Sequence, residues 1–174
     1  MSDNKAKGTN KSANKRDLIV SRVFDAPVEQ VWKAWTDPKQ VMQWWGPDGF
    51  TSPSAKIDFR ENGISLVCMR APKECGGQDM YSTWAYSKIV PMQSIEYIHN
   101  LADQDGRKAD SVTLGLPPDF PQDQRNLVSF KAAGDNKTEM TVTEYDWTVG
   151  QMLALAEIGL NQCLDKMEAS FTRA

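Results

Sequence analysis

Residues 22–50, RVFDAPVEQVWKAWTDPKQVMQWWGPDGF, constrain the fold more than any other stretch of the chain. Asp25 is placed to cap a helix, and Pro27 suits its first turn, where the missing N–H costs nothing. Val28, Val31, Trp32 and Trp35 recur at helical spacing and make one apolar face. Thr36-Asp37-Pro38 breaks this helix and starts a second, short one, which Gly46-Pro47 stops. Four of the six tryptophans, Trp32, Trp35, Trp44 and Trp45, lie here. Large aromatic side chains on two short helices need a broad surface to pack on, and a curved sheet wrapped around a long helix supplies one.

The remaining pattern is strands, then one helix. Asp17–Phe24 is a first strand with Leu18, Val20 and Phe24 on one side. Ala55–Arg60 and Ile64–Arg70 flank Glu61-Asn62-Gly63, where Asn-Gly predicts a hairpin. Met80–Val90 and Ser94–Asn100 are further strands, and Asn126–Ala132 and Thr138–Trp147 form a last hairpin. The stretch Leu101–Arg125 is polar and proline-rich, long for a plain connection, and suited to covering a site. Val149–Thr172 reads as a long helix with Leu153, Ala156, Leu160, Leu164, Met167 and Phe171 as its apolar stripe.

A chain of 174 residues, 40% hydrophobic and 25% charged, fits one soluble domain. Residues 1–16 carry five basic residues against Asp3, a net +4, so the rest carries −7 of the overall −3. The basic, Asn/Ser-rich residues 1–16 are expected to be a disordered tail, with the folded domain over 17–174. An acidic body argues against nucleic acid as a partner. No apolar run is long enough for a membrane span, and no apolar segment follows the basic start as in a secretory signal. Cys68, Cys75 and Cys163 have no metal-ligand spacing; an odd count points to a reducing, cytoplasmic setting, with Cys68 and Cys163 as core residues and Cys75 exposed. The single histidine, His99, rules out a His-based metal cluster, and neither a metal nor a cofactor is expected.

The order strand, two short helices, six strands, long helix resembles the helix-grip proteins of the START-like (SRPBCC) superfamily. Within it the chain is most similar to homologues of the C-terminal domain of the activator of heat-shock protein 90 ATPase. The matching pieces are R-x-F-D-A-P-x-E-x-V-W at Arg22–Trp32, T-D-P at Thr36–Pro38, WWGP at Trp44–Pro47, M-R at Met69-Arg70, I-V-P at Ile89–Pro91 and G-L-x-x-x-L-D-K-M at Gly159–Met167. The resemblance implies an α+β, Bet v 1-like fold: a curved seven-stranded antiparallel sheet around the C-terminal helix, with a cavity between them. Three positions depart from the family's habit. Trp84 stands where glycine is frequent, Lys88 where an acidic residue is, and Leu160 where a tryptophan follows the helix glycine.

Strand alternation nominates the lining of such a cavity. Met140, Val142 and Glu144 share a face, as do Ile95, Tyr97 and His99, and Ser65, Val67 and Met69. Arg22 shares the face of Val20 and Phe24. Because the first and last strands are neighbours in the family fold, Arg22 and Glu144 are candidates to pair. The candidate ligand-binding set is Arg22, Trp45, Met69, Trp84, Tyr86, Tyr97, His99, Glu144 and Met152: apolar bulk with a few polar anchors, the usual composition of a ligand site.

There is no G-x-S-x-G, phosphate loop or metal motif. The leading expectation is therefore binding of a small, mostly apolar molecule. Two alternatives stay open: a polyketide cyclase-like or dehydratase-like enzyme using His99 or Glu144 in the same pocket, and a chaperone-associated module as the family name suggests. A homodimer is left open as well.

Overall fold

The computed structural model describes residues 14–172. The elements run β1 (Lys15–Phe24), α1 (Val28–Thr36), α2 (Pro38–Trp44), β2 (Thr51–Lys56), β3 (Ile64–Arg70), β4 (Asp79–Val90), β5 (Ser94–Ala102), β6 (Gln124–Ala132), β7 (Thr138–Thr148) and α3 (Gln151–Phe171). The seven strands form one sheet in the order β1-β7-β6-β5-β4-β3-β2, antiparallel throughout. The sheet curves around α3, as the helix-grip reading expects. Only the β1–β7 pairing joins strands distant in sequence. It brings the last strand back onto the first and leaves β1 and β2 as the two edges.

Side chains alternate as a half-covered sheet demands. Leu18, Val20 and Phe24 of β1, Val128 and Phe130 of β6, and Met140 and Val142 of β7 are buried on the inner face. The α3 residues Leu153, Leu160, Leu164 and Met167 are buried against them, and Cys163 joins them. Cys68 is also buried, whereas Cys75 is exposed, and none of the three is in a disulfide. No helix among the described residues is long and apolar enough to cross a membrane.

The indoles of α1 and α2 fill one half of the interior. Trp44 is fully buried, and its Nε1 donates to the Ala34 carbonyl oxygen at 2.8 Å. The Trp35 Nε1 donates to the Met140 sulfur at 3.2 Å. Trp84 lies among these rings, 5.8 Å from Trp35 and 5.4 Å from Tyr97 between centroids. Such ring pairs add about 0.5–1.5 kcal/mol each beyond the area they bury.

Several local expectations need correction. Asp25 does not cap α1: Pro27 occupies the N-cap with extended backbone, and Asp25 is exposed, 3.5 Å from Lys137. The side chain that does cap a helix is Asp37, which accepts from the N–H groups of Lys39 and Gln40 at the start of α2. The Asn62-Gly63 pair makes no tight β2–β3 hairpin. β2 ends at Lys56, and Asn62 and Gly63 instead hydrogen-bond to the backbone of Tyr86 in β4, so the connection spans 57–63. This longer loop lets Phe59 pack edge-on against Trp32 and Tyr86. β1 begins at Lys15, two residues before the expected start, with Lys15 opposite Thr148. The expected tail at 1–16 therefore enters the sheet at its end, and residues 1–13 lie outside the described residues.

Candidate functional site

A pocket of about 420 Å³ opens between the first three turns of α3 and the ends of β4, β5 and β7. Two connections complete its wall. One is the Gly46–Phe50 turn, which α3 holds in place: Lys166 Nζ donates to the carbonyl oxygens of Gly46 (2.7 Å), Pro47 (3.0 Å) and Phe50 (3.0 Å), and Gln162 accepts from the Asp48 N–H. Gly46 has φ +108°, and a Cβ there would stand 3.0 Å from that of Phe50, so this turn favours glycine on both counts. The other is the 103–123 loop, which brings Leu116 and Phe120 over the pocket. Gln122 anchors that loop by accepting from the Leu101 N–H and donating to the Ala109 carbonyl oxygen. Phe120 packs edge-on against Trp147 at 5.5 Å.

Of the sequence-nominated set, Trp45, Met69, His99, Glu144 and Met152 line this pocket. Trp84, Tyr86 and Tyr97 do not. They are buried one layer behind it, in the packed half of the interior, where Trp84 meets the back of Trp45 at 5.1 Å. Tyr86 is held there by a 2.8 Å hydrogen bond with the Ser65 hydroxyl. Arg22 is elsewhere. Its register partner is Met140, while Glu144 stands opposite Leu18, four residues away, or about 13 Å along a strand. The anticipated Arg22–Glu144 pair is therefore absent. Arg22 instead reaches Asp165 at 2.6 Å and the Asn161 carbonyl oxygen at 3.0 Å, tying α3 to the sheet edge.

Glu144 and His99 are the pocket's ionisable polar groups. Trp147 Nε1 donates to Glu144 Oε2 at 2.9 Å. Burial pushes the Glu144 carboxyl up to about 7, against the pull of this hydrogen bond. Burial pushes the His99 imidazole down to about 4, so it is neutral at neutral pH. His99 Nδ1 and Trp45 Nε1 are buried without a partner among the described residues. A buried polar group without a partner costs about 1–3 kcal/mol.

Sequence reasoning missed Trp147, Phe120 and Phe50. Strict alternation from Glu144 turns Trp147 outward. The β1–β7 register shifts between Arg16 and Leu18, and Asp146 takes φ 59°, so Trp147 turns inward three residues after Glu144. A bulge of this kind re-aims a side chain, and no residue type announced it. Phe50 and Phe120 lie in loops, where periodicity carries no signal.

The sequence matches the family model described as Activator of Hsp90 ATPase homolog 1-like protein over residues 25–172. The chain belongs to this family. The AHSA1-like assignment agrees with the START-like/SRPBCC resemblance and with the solved structures of similar fold. A solution structure of a protein from Arthrobacter aurescens superposes with a TM-score of 0.71 at 24% identity, covering 94% of this chain and 92% of that one. The AHSA1 protein from Silicibacter pomeroyi gives 0.70 at 20% identity, with 90% and 98% covered. A protein from Nitrosomonas europaea gives 0.68 at 17% identity, with 90% and 94% covered. Identities this low carry the AHSA1-like fold and nothing about ligands. No curated protein matches the sequence.

Proposed function

We propose that this AHSA1-like protein binds a small, mostly apolar molecule in the pocket between sheet and helix. The observation that supports the reading is the pocket itself: about 420 Å³, walled by Trp45, Phe50, Phe120, Trp147 and Leu160, with one carboxyl and one imidazole. This size and composition fit an ordinary small-molecule site. Burying about 200 Å² of ligand contributes roughly 5 kcal/mol before the costs of association. Micromolar affinity needs about 8 kcal/mol, so the polar groups at Glu144 and His99 would supply the difference. The free thiols support a cytoplasmic setting.

The enzyme alternative keeps one of its two acid–base candidates, Glu144, whose carboxyl burial holds near 7. With its pKa near 4, His99 is not an imidazolium at neutral pH and has no proton to give as one. Titration of the tryptophan emission with apolar acids, alcohols and amines tests the binding reading, because Trp45 and Trp147 line the pocket. Saturable quenching that is lost on Leu160→Trp supports it. If no member of the panel binds, and native mass spectrometry finds no co-purifying small molecule, the reading fails.

A further inference from the structure

We propose that the molecule taken up in this pocket is an apolar amine, whose ammonium group pairs with the Glu144 carboxylate. The inference rests on the binding reading above and adds the chemistry of the ligand's head. Among the described residues no lysine or arginine lines the pocket, and Glu144 is its one carboxylate. Trp147 is the only described residue that donates to it, and only to Oε2. A carboxylate so placed attracts a cation, accepts from a neutral donor and repels an anion.

The surroundings of Glu144 are neutral or already occupied. From β1, Leu18 stands opposite it, and from β6 the uncharged Asn126 does. From β5 come His99, neutral as described, and Tyr97, whose hydroxyl burial holds well above its ordinary range. From α3 comes Cys163, whose thiol burial pushes up to about 11. Lys166 of α3 spends its ammonium group on three backbone carbonyls, and Arg22 spends its guanidinium on Asp165 and Asn161. Arg16, opposite Trp147, reaches Glu157 at the surface, and Asp17 accepts from the Asp146 N–H beside the bulge. Phe120 comes from the loop above. No side chain among these supplies the positive charge that a half-buried carboxylate in an apolar wall attracts.

Two further observations point the same way. Four aromatic rings, Trp45, Phe50, Phe120 and Trp147, line the pocket, and aromatic faces attract cations. Asp119 stands in a hollow that adjoins the pocket at Met152, and residues 17–174 carry net −7, a field that draws cations inward.

The test is calorimetric titration with decylamine, decanol and decanoate, three molecules that share one chain and differ in the head. At about pH 8 decylamine should bind at least about tenfold more tightly than decanol, and decanoate more weakly than either. Between about pH 8 and about pH 6 decylamine should lose roughly tenfold as Glu144 takes up its proton, while decanol changes less than about threefold. Glu144→Gln should bring decylamine down to the affinity of decanol and so abolish the preference for the amine. Decanol binding as tightly as decylamine in the unmodified protein overturns the inference and leaves the binding reading standing. An amine preference that survives Glu144→Gln, or that does not depend on pH, also overturns it. If none of the three binds, the binding reading falls and the inference falls with it.

Discussion

Leu164, Met167 and Phe171 on the last turns of α3 belong to a solid core, whereas Met152, Ala156 and Leu160 on the earlier turns border open space. The same sheet face runs behind both halves. On β4, Trp84 and Tyr86 belong to the packed half and Met80 and Ser82 to the hollow one. On β5, Tyr97 divides in the same way from His99 and Leu101, and on β7 Met140 and Val142 divide from Glu144. The two halves thus share backbone geometry and differ in side-chain volume and polarity. Polar satisfaction does not divide as cleanly, since Trp147 in the hollow half is hydrogen-bonded to Glu144. The indoles of Trp35 and Trp44 in the packed half are hydrogen-bonded, while Trp45 Nε1 and His99 Nδ1 in the hollow half are not. Trp84, in the packed half, also has an unpartnered indole. One half is filled by the indole cluster, and the other borders open space with one carboxyl and one imidazole in its wall.

The largest expected effect breaks that contrast. Trp84→Gly removes a side chain only 1% exposed. It should cost about 3–5 kcal/mol in urea denaturation, because the neighbouring rings cannot collapse into so large a void. It should also enlarge the pocket toward Tyr97. A loss below about 1 kcal/mol would show that the packed half is not the stabilising half.

The next effect comes from the hollow half and depends on pH. Glu144 has a folded pKa of about 7 against an ordinary 4.5, so the folded state holds its proton more tightly. Its contribution is fully present below about pH 4.5 and is lost as pH rises through 7. His99 has a folded pKa of about 4 against an ordinary 6.5, so its contribution is present above 6.5 and is lost as pH falls through 4. The two slopes oppose each other between about pH 4.5 and 6.5 and should leave the unmodified protein nearly flat there. Glu144→Gln should then lose stability on acidification, and His99→Asn should gain it, by at most about 3 kcal/mol in either case. Thermal melts across this range check the signs, and a flat profile in both variants would refute the burial of the two groups.

Arg22→Ala sharpens the boundary between structure and site. Losing the Asp165 and Asn161 contacts should cost about 1 kcal/mol and should change ligand affinity less than about twofold. A large loss of affinity in the fluorescence titration would return Arg22 to the binding site. The smallest effect is expected at Cys75. Cys75→Ser should shift stability by less than about 0.5 kcal/mol. In the folded protein a thiol reagent should label Cys75 first, ahead of Cys163, which is buried but borders the pocket, and of the buried Cys68. Rapid labelling of Cys68 would mark the core as open.

Local rules carried the sequence a long way. The 3.6-residue spacing of Val31, Trp32 and Trp35 and of Leu153, Leu160, Leu164 and Met167 reports a buried helix face directly. Period-two alternation placed Glu144, His99 and Met69 on the inner face of their strands for the same reason. Which of those inward residues meet a ligand and which meet one another was not legible. That depends on how far along the sheet each residue sits and what the opposite wall supplies there. Register set Arg22 against Met140 rather than Glu144, and a bulge at Asp146 turned Trp147 onto Glu144. Loops that carry no periodicity delivered Phe50 and Phe120. The sequence by itself therefore determined most elements and their buried faces, because those follow from spacing along the chain, and it pointed to the AHSA1-like fold through the resemblance of its motifs. The tertiary structure alone decided where the interior is hollow, because a cavity is a relation between side chains far apart in sequence.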